Sequence, residues 1–334
     1  MVLNPPLLLC DTVRHNNKKM KITLIILLAV LAYNVCAQNQ APIIDMHVHS
    51  YAFDQATVEE LKFNGNKDFY GNQGSLSKEE HFRDTYERFR KFNIVKAVVS
   101  GSLESVKYWK VNDTDNRIIR GILIFSAKDD GMNPKRFESL VKDGTIQVFG
   151  EIGAYYSGST LSDPEWEPYL KICEQYDIPV AIHTGGGEPG GTYTWSPKAR
   201  LRLGDPYLIE DALVKFPKLR VNMMHAGGED WPEHAIRLLD YYPHLYTDLG
   251  VMLWVNPNTK RYIKEFIRNV KEAGYLDRVM FGSDQMFWPD AIDRSIEYLN
   301  SLDFLTNEDK RDILYNNAAR FLKLNNDNTV PNKK

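Results

Sequence analysis

The sequence predicts a single (β/α)8 barrel of the TIM type, and three observations carry that expectation. Short β-branched, apolar runs alternate with amphipathic helical stretches, the pattern of parallel strands joined by crossover helices. Eight such units follow one another over about 290 residues, which favours a closed barrel over an open doubly wound sheet. Imidazoles and carboxylates stand at the ends of the predicted strands, where a barrel would gather them on one rim. No glycine fingerprint follows the first strand, which argues against a dinucleotide-binding fold.

The front of the chain is set apart first. Asn16 to Lys21 is basic, Ile22 to Val35 is apolar, and Val35-Cys36-Ala37 offers small residues before Gln38. This predicts a secretory signal over residues 1–37, with Met20 a candidate start and residues 1–19 an upstream over-extension. The apolar run of about 14 residues is short for a membrane span, so no membrane anchor is expected after cleavage. The expected location is exported, periplasmic or secreted. Barrel residues 38–324 and a polar tail over 325–334 follow.

Strand one is Ile43 to Val48. A polar segment from Phe63 to Ser77 is expected as a loop over the barrel mouth, followed by a helix from Lys78 to Lys91. Strand two, Ile94 to Ser100, stops at Gly101, and Leu103 to Trp109 is helical. Strand three is Ile118 to Phe125, and proline opens the helix Pro134 to Lys142, where its missing N–H costs nothing. Strand four, Ile146 to Ile152, precedes a helix opened by Asp163-Pro164. Strand five, Ile178 to His183, leads into a loop from Thr184 to about Leu203, and Asp205-Pro206 starts the helix to Phe216. Strand six is Leu219 to Met224, with a helix from Trp231 to Tyr241. Strand seven is Leu245 to Leu249, with a helix from Asn258 to Ala273. Strand eight is Val279 to Phe281, and helices over Ala291 to Asn300 and Asn307 to Leu324 finish the fold.

Composition bounds the function. The 334 residues are 43% apolar and 25% charged, with net charge −3. Removing residues 1–37 takes away four basic side chains and one acid, so the mature chain carries −6. A mildly acidic protein without a basic run is a poor nucleic-acid binder, because affinity there comes from phosphate neutralisation. Cys173 is the one cysteine beyond the signal, so no internal disulfide is expected and a large core must hold the fold.

The chemistry sits at strand ends. His47 and His49 end strand one, Glu151 strand four, His183 strand five, His225 leaves strand six, and Asp284 follows strand eight. Four of the seven histidines after the signal fall at such positions; His81, His234 and His244 do not. Imidazole and carboxylate without cysteine suit a divalent first-row metal held as a Lewis acid. Zinc is the expected ion, as one or two per chain, with manganese the alternative. Two-residue periodicity puts Asp45 on the histidine face, one step deeper, where it is expected to bond a ligand histidine from below.

These residues form motifs with a known resemblance. Ile44-Asp45-Met46-His47-Val48-His49, Ile182-His183, Val221 to Gly228, Phe281-Gly282-Ser283-Asp284 and Asn316 to Phe321 resemble the amidohydrolase superfamily, closest to its amidohydrolase-2 branch. The resemblance spans residues 41 to about 324. It implies that His47, His49 and Asp284 bind a more buried metal, and that His183 completes a mononuclear site or helps hold a second ion. His225 would bind that second ion or polarise the substrate carbonyl, and Asp284 would shuttle the proton. Some branches carry a carboxylated lysine at strand four. Here Phe149-Gly150-Glu151 instead resembles the glutamate version, so Glu151 would either bridge two metals or act as an acid/base beside one.

The activity so implied is a metal-dependent hydrolase using metal-activated hydroxide on an ester, lactone or amide of a small molecule. A decarboxylase or hydratase acting on a small carboxylic acid is the alternative, since fold and ligand set are shared while substrate loops differ. A non-catalytic binding protein would leave the intact ligand set unexplained. The loop after strand five supplies candidate substrate contacts in Tyr193, Trp195, Arg200 and Arg202, arginine suiting a substrate carboxylate.

Overall fold

The computed structural model describes residues 41–63, 65, 67, 71–128 and 131–324. The expected signal over 1–37 and the tail over 325–334 lie outside the described residues. Eight strands run in chain order: β1 Ile43–Ser50, β2 Ile94–Gly101, β3 Ile118–Arg120, β4 Phe149–Ile152, β5 Val180–His183, β6 Val221–Met224, β7 Leu245–Asp248 and β8 Val279–Met280. Every pairing is parallel, in the order β1-β2-β3 and β4-β5-β6-β7-β8.

Backbone hydrogen bonds join the two runs into a ring. At one seam Val148 N donates to Arg120 O (3.1 Å), Ile122 N to Gly150 O (2.9 Å) and Ile124 N to Glu151 O (2.9 Å). At the other, Met46 N donates to Phe281 O (2.9 Å) and Asp284 N to His47 O (2.7 Å). The fold is therefore the expected TIM barrel. Strand three is shorter than expected: regular pairing ends at Arg120, and residues 121–124 continue beside β4 only through isolated bonds.

Helices follow the strands. Those of six residues or more are α1 Gln55–Phe63, α2 Lys78–Lys91, α3 Leu103–Asn112, α4 Pro134–Lys142, α5 Glu167–Tyr176, α6 Glu210–Lys215, α7 Pro232–Tyr241, α8 Pro257–Glu272 and α9 Asp290–Ser301. Side-chain caps start several of them, with Ser77, Asn133 and Asn256 each accepting a backbone N–H of the first turn. The final segment is not one helix. Asn307–Arg311 and Asn317–Phe321 flank a π-helical turn over Asp312–Asn316, and there Ile313 O accepts from Phe281 N (2.8 Å). Arg88 on α2 reaches Asp290 and Asp293 on α9, tying the helices on either side of the β8–β1 seam.

Inside the ring Ile44, Met46, Val98, Val148, Ala181, Met224 and Met280 form an apolar cluster, and Tyr315, Ala318 and Phe321 pack against it. A larger cluster fills the space between strands and helices. The β1–β2 register slips between Asp45 and Val48, where three β1 steps oppose two of β2. Such a bulge re-aims side chains. It lets Met46 join the inner cluster while Val48 packs outward.

Of the loop expected over the mouth, residues 71–75 run beside the segment after β8, while Phe63 belongs to α1. Ser75 N donates to Phe287 O beyond β8 (3.1 Å), and Asn72 and Ser75 are buried. No helix among the described residues is long and apolar enough to cross a membrane.

Candidate metal centre

Six side chains from β1, β4, β5 and the turns after β6 and β8 converge, and all are more than nine-tenths buried. His47 Nε2 lies 3.1 Å from His49 Nε2. Asp284 Oδ1 is 3.1 Å from His49 Nε2 and 3.6 Å from His47 Nε2. Glu151 reaches both histidines with Oε2, at 3.4 and 3.2 Å. Its Oε1 lies 2.9 Å from His183 Nδ1 and 3.7 Å from His225 Nε2. His225 Nε2 is in turn 3.1 Å from His183 Nδ1. Glu151 thus stands between two donor groups, one of His47, His49 and Asp284 and one of His183 and His225. All six predicted ligands are brought together.

The surroundings fix ring orientation. His225 Nδ1 donates to Gly250 O (3.0 Å), since a carbonyl can only accept. In the neutral ring its Nε2 is thereby left as a lone pair facing the centre. His49 Nδ1 is engaged by Ser100 Oγ (3.2 Å), again leaving Nε2 inward. This outer bonding sets the tautomer of a metal-ligating histidine. His225 (φ +64°) and Asp284 (φ +47°) both occupy the left-handed region, so the chain turns sharply where each side chain enters the site. Non-glycine residues hold that conformation at a cost, and such outliers gather at functional sites.

Charge follows geometry. Burial pushes the His47 imidazolium down, but the Asp284 and Asp248 carboxylates outweigh it and hold the group well above the usual range. His49 and His225 are raised for the same kind of reason, and His183 is lowered by burial. Burial would raise Glu151, yet four histidines bonding it keep it well below the carboxylate range. Asp284, also opposed by burial, is brought to about 2 by His47, His49 and His225.

Asp45 acts otherwise than expected. Its Oδ1 accepts the backbone N–H groups of His47 (3.1 Å) and Ser283 (2.9 Å), not an imidazole nitrogen, and so braces strand one against the turn carrying Asp284. Burial raises its carboxyl to about 7. The carboxylate beneath the His47 ring is Asp248 at the end of β7, with Oδ1 3.6 Å from His47 Nδ1. Sequence reasoning missed it, although the strand-end rule that found the other groups applies equally to Thr247-Asp248. Gln285 was missed too. It accepts from His49 N (2.9 Å) and donates to His49 O (2.8 Å), clamping that residue from the β8 side.

Aromatic rings wall the centre. Tyr51 stacks on His49 at 4.6 Å with an interplanar angle of 5°, and Phe287 stacks on Tyr51 at 4.5 Å. Tyr156 lies 4.9 Å from the His183 ring, and Trp195 lies 4.8 Å from Tyr156. Trp195 of the long loop therefore connects to the site through Tyr156. Among the described residues no hydrogen bond or ion pair joins the other loop candidates to the six: Tyr193 is 92% exposed, Arg202 is exposed, and Arg200 Nη1 donates to Pro197 O (3.0 Å) and Ala199 O (2.6 Å).

The family described as Amidohydrolase matches residues 152–324, just over half of the chain. The chain belongs to the amidohydrolase family. In this amidohydrolase the matched segment carries His183, His225 and Asp284, while His47, His49 and Glu151 lie before it. The fold of this amidohydrolase is similar to that of solved structures. An uncharacterised TIM-barrel protein from Bordetella bronchiseptica is 18% identical, with TM-score 0.62 over 84% of this chain and 98% of that one. A probable 2-pyrone-4,6-dicarboxylic acid hydrolase from Acinetobacter baumannii, with citric acid bound, is 13% identical, with TM-score 0.55 over 84% and 99%. A 5-carboxyvanillate decarboxylase from Novosphingobium aromaticivorans, complexed with manganese, is 14% identical, with TM-score 0.55 over 86% and 97%. No curated protein matches the amidohydrolase.

Proposed function

We propose that this amidohydrolase is an exported, metal-dependent hydrolase that cleaves an ester, lactone or amide bond of a small molecule. The observation that carries the reading is the convergence of four imidazoles and two carboxylates in one buried volume. The donor set fits a divalent metal. Two nitrogens bound at about 2.1 Å to one ion lie about 3.0–3.4 Å apart at octahedral to tetrahedral angles, and His47 Nε2 and His49 Nε2 are 3.1 Å apart. Asp284 Oδ1, which faces both nitrogens, is buried without a hydrogen-bond partner, an arrangement costly in a protein interior unless something binds there. His47, His49 and Asp284 would hold one ion. Glu151, His183 and His225 would hold a second, with Glu151 between the two. Zinc suits these nitrogen and oxygen donors, and manganese is the alternative.

An ion held by these residues would supply Lewis acidity and lower the pKa of a water toward neutrality. Asp284, ionised across the neutral range, takes the proton of the attacking water and returns it to the leaving atom. His225 orients the substrate carbonyl if it is not a ligand. Tyr51, Phe287 and Tyr156 exclude bulk solvent, which strengthens every charge interaction inside.

A lyase acting on a small carboxylic acid is the second reading, favoured by the manganese-bound decarboxylase among the similar structures. Metal analysis of the purified mature protein, followed by a panel of lactones, esters, amides and aromatic carboxylic acids, tests both. At least one divalent ion per chain and turnover of a lactone, ester or amide is expected. Release of carbon dioxide without hydrolysis would replace the hydrolase by the lyase, and a metal-free, fully folded protein would remove both. A stoichiometry near two that falls in Glu151→Gln supports the bridge, and a ratio of one in both proteins rejects it.

A further inference from the structure

One cavity bounded by described residues lies at the end of the barrel opposite the metal centre. It has a volume of about 370 Å³ and opens at the N-terminal ends of β2 to β6. Its charged lining is Lys96, Lys110, Arg120 and Arg220 against the single carboxylate of Asp177. Asp177 is spent on Arg220, at 3.0 Å, and on Lys323. Lys110 pairs with Asp113 at 2.8 Å.

Among the described residues Lys96 and Arg120 have no such partner, and no carboxylate lies within 4.0 Å of either. The Lys96 ammonium donates to Asn116 O (2.6 Å), and Lys110 donates to Asn116 Oδ1 (2.8 Å), so one asparagine carries two ammonium groups. The Arg120 guanidinium is fixed by the carbonyls of Gly144 (3.1 Å) and Thr145 (3.2 Å). Neutral oxygens hold these cations in place, and the carboxylates that act on them, Asp113 on Lys96 and Asp143 on Arg120, do so from beyond ion-pair distance. In an acidic chain, that is a local excess of positive charge around a space many times the roughly 30 Å³ of one water. Half-buried, like-charged groups are stabilised by a counter-ion, and an oxyanion accepts from ammonium and guanidinium together.

We propose that this cavity binds a small multivalent oxyanion of the inorganic phosphate class, held by Lys96, Lys110 and Arg120. The site is independent of the metal centre, at the opposite end of the barrel, and its occupancy does not rest on the hydrolase reading.

Isothermal titration of the full chain with inorganic phosphate, at ionic strength matched with sodium chloride, tests it. One saturable site per chain is expected. Lys96→Gln should weaken binding about tenfold or more, the loss of one charge-assisted bond, and Lys96→Arg should retain it. Asp284→Asn should bind phosphate as the unaltered chain does. Absence of saturable binding, equal binding by Lys96→Gln, or loss of binding in Asp284→Asn would each overturn the proposal, the last by placing the anion at the metal centre.

Discussion

Asp248→Asn separates a metal-positioning role from a merely structural one. The side chain is fully buried, with Oδ1 3.6 Å from His47 Nδ1. That oxygen also accepts from Gly250 N (2.9 Å) and His225 N (3.3 Å), and Oδ2 accepts from Asn222 Nδ2 (2.7 Å). An asparagine amide has one oxygen, so whichever way it turns, its NH2 meets a donor. One buried donor is left unpaired, a cost of about 1–3 kcal/mol to the metal-free fold. The second effect is electrostatic. Removing the carboxylate behind a ligand histidine lowers metal affinity about 10–100-fold, equal to about 1.4–2.7 kcal/mol. Denaturant unfolding of the chelator-treated protein reads the first effect, and metal competition against a chromophoric chelator reads the second. The variant should lose on both. Unchanged metal affinity beside lowered stability would refute the positioning role and leave Asp248 as a structural acceptor.

Other expectations follow from the same geometry. A Cβ added at Gly250 would lie 2.6 Å from His47 Nδ1 and 3.1 Å from Asp284 Cβ. Gly250→Ala should therefore displace a ligand ring and reduce turnover about 100-fold, the scale of a 1 Å misplacement; full metal content with unaltered rates would count against it. Tyr51→Phe should keep the stack on His49 and most activity, whereas Tyr51→Ala should open the centre to solvent and lower kcat more than it raises KM. Asp113 accepts from Tyr86 Oη (2.8 Å), Arg117 N (2.8 Å), Ile118 N (3.0 Å) and Lys110 Nζ (2.8 Å). Burial would raise its carboxyl, but these donors hold it below the ordinary value of 3.8. Its contribution is thus complete above that value and fades as pH falls through the folded one. Asp113→Asn should cost about 1–3 kcal/mol at neutral pH and flatten that part of the acid transition, measured by urea unfolding at several pH values.

Much of the barrel was legible because its signals are local. The helix Lys78–Lys91 has the expected bounds, since Ser77 caps it and its apolar stripe repeats at helical spacing. Strand three was overextended because residues 121–124 are apolar and β-prone, while only their bonds to β4 determine where the ladder stops. The last helix was expected as continuous, because no residue within Asp312–Asn316 announces a π turn. That turn coincides with an external bond from Phe281 to the carbonyl of Ile313.

The sequence by itself determined the residue types at the strand ends, and through them the six-membered donor set. Parallel strands in a ring must bring their C-terminal ends together, so order along the chain became proximity in space. Tertiary structure alone decided the supporting layer. Asp45 was read from two-residue periodicity as a support for an imidazole, but the β1 bulge breaks that period and leaves it binding backbone N–H groups. Asp248, about 200 residues from His47, took the supporting place instead. Which carboxylate lies behind which ring depends on strand stagger and side-chain direction across the closed barrel, and these are settled only when all eight strands pack at once.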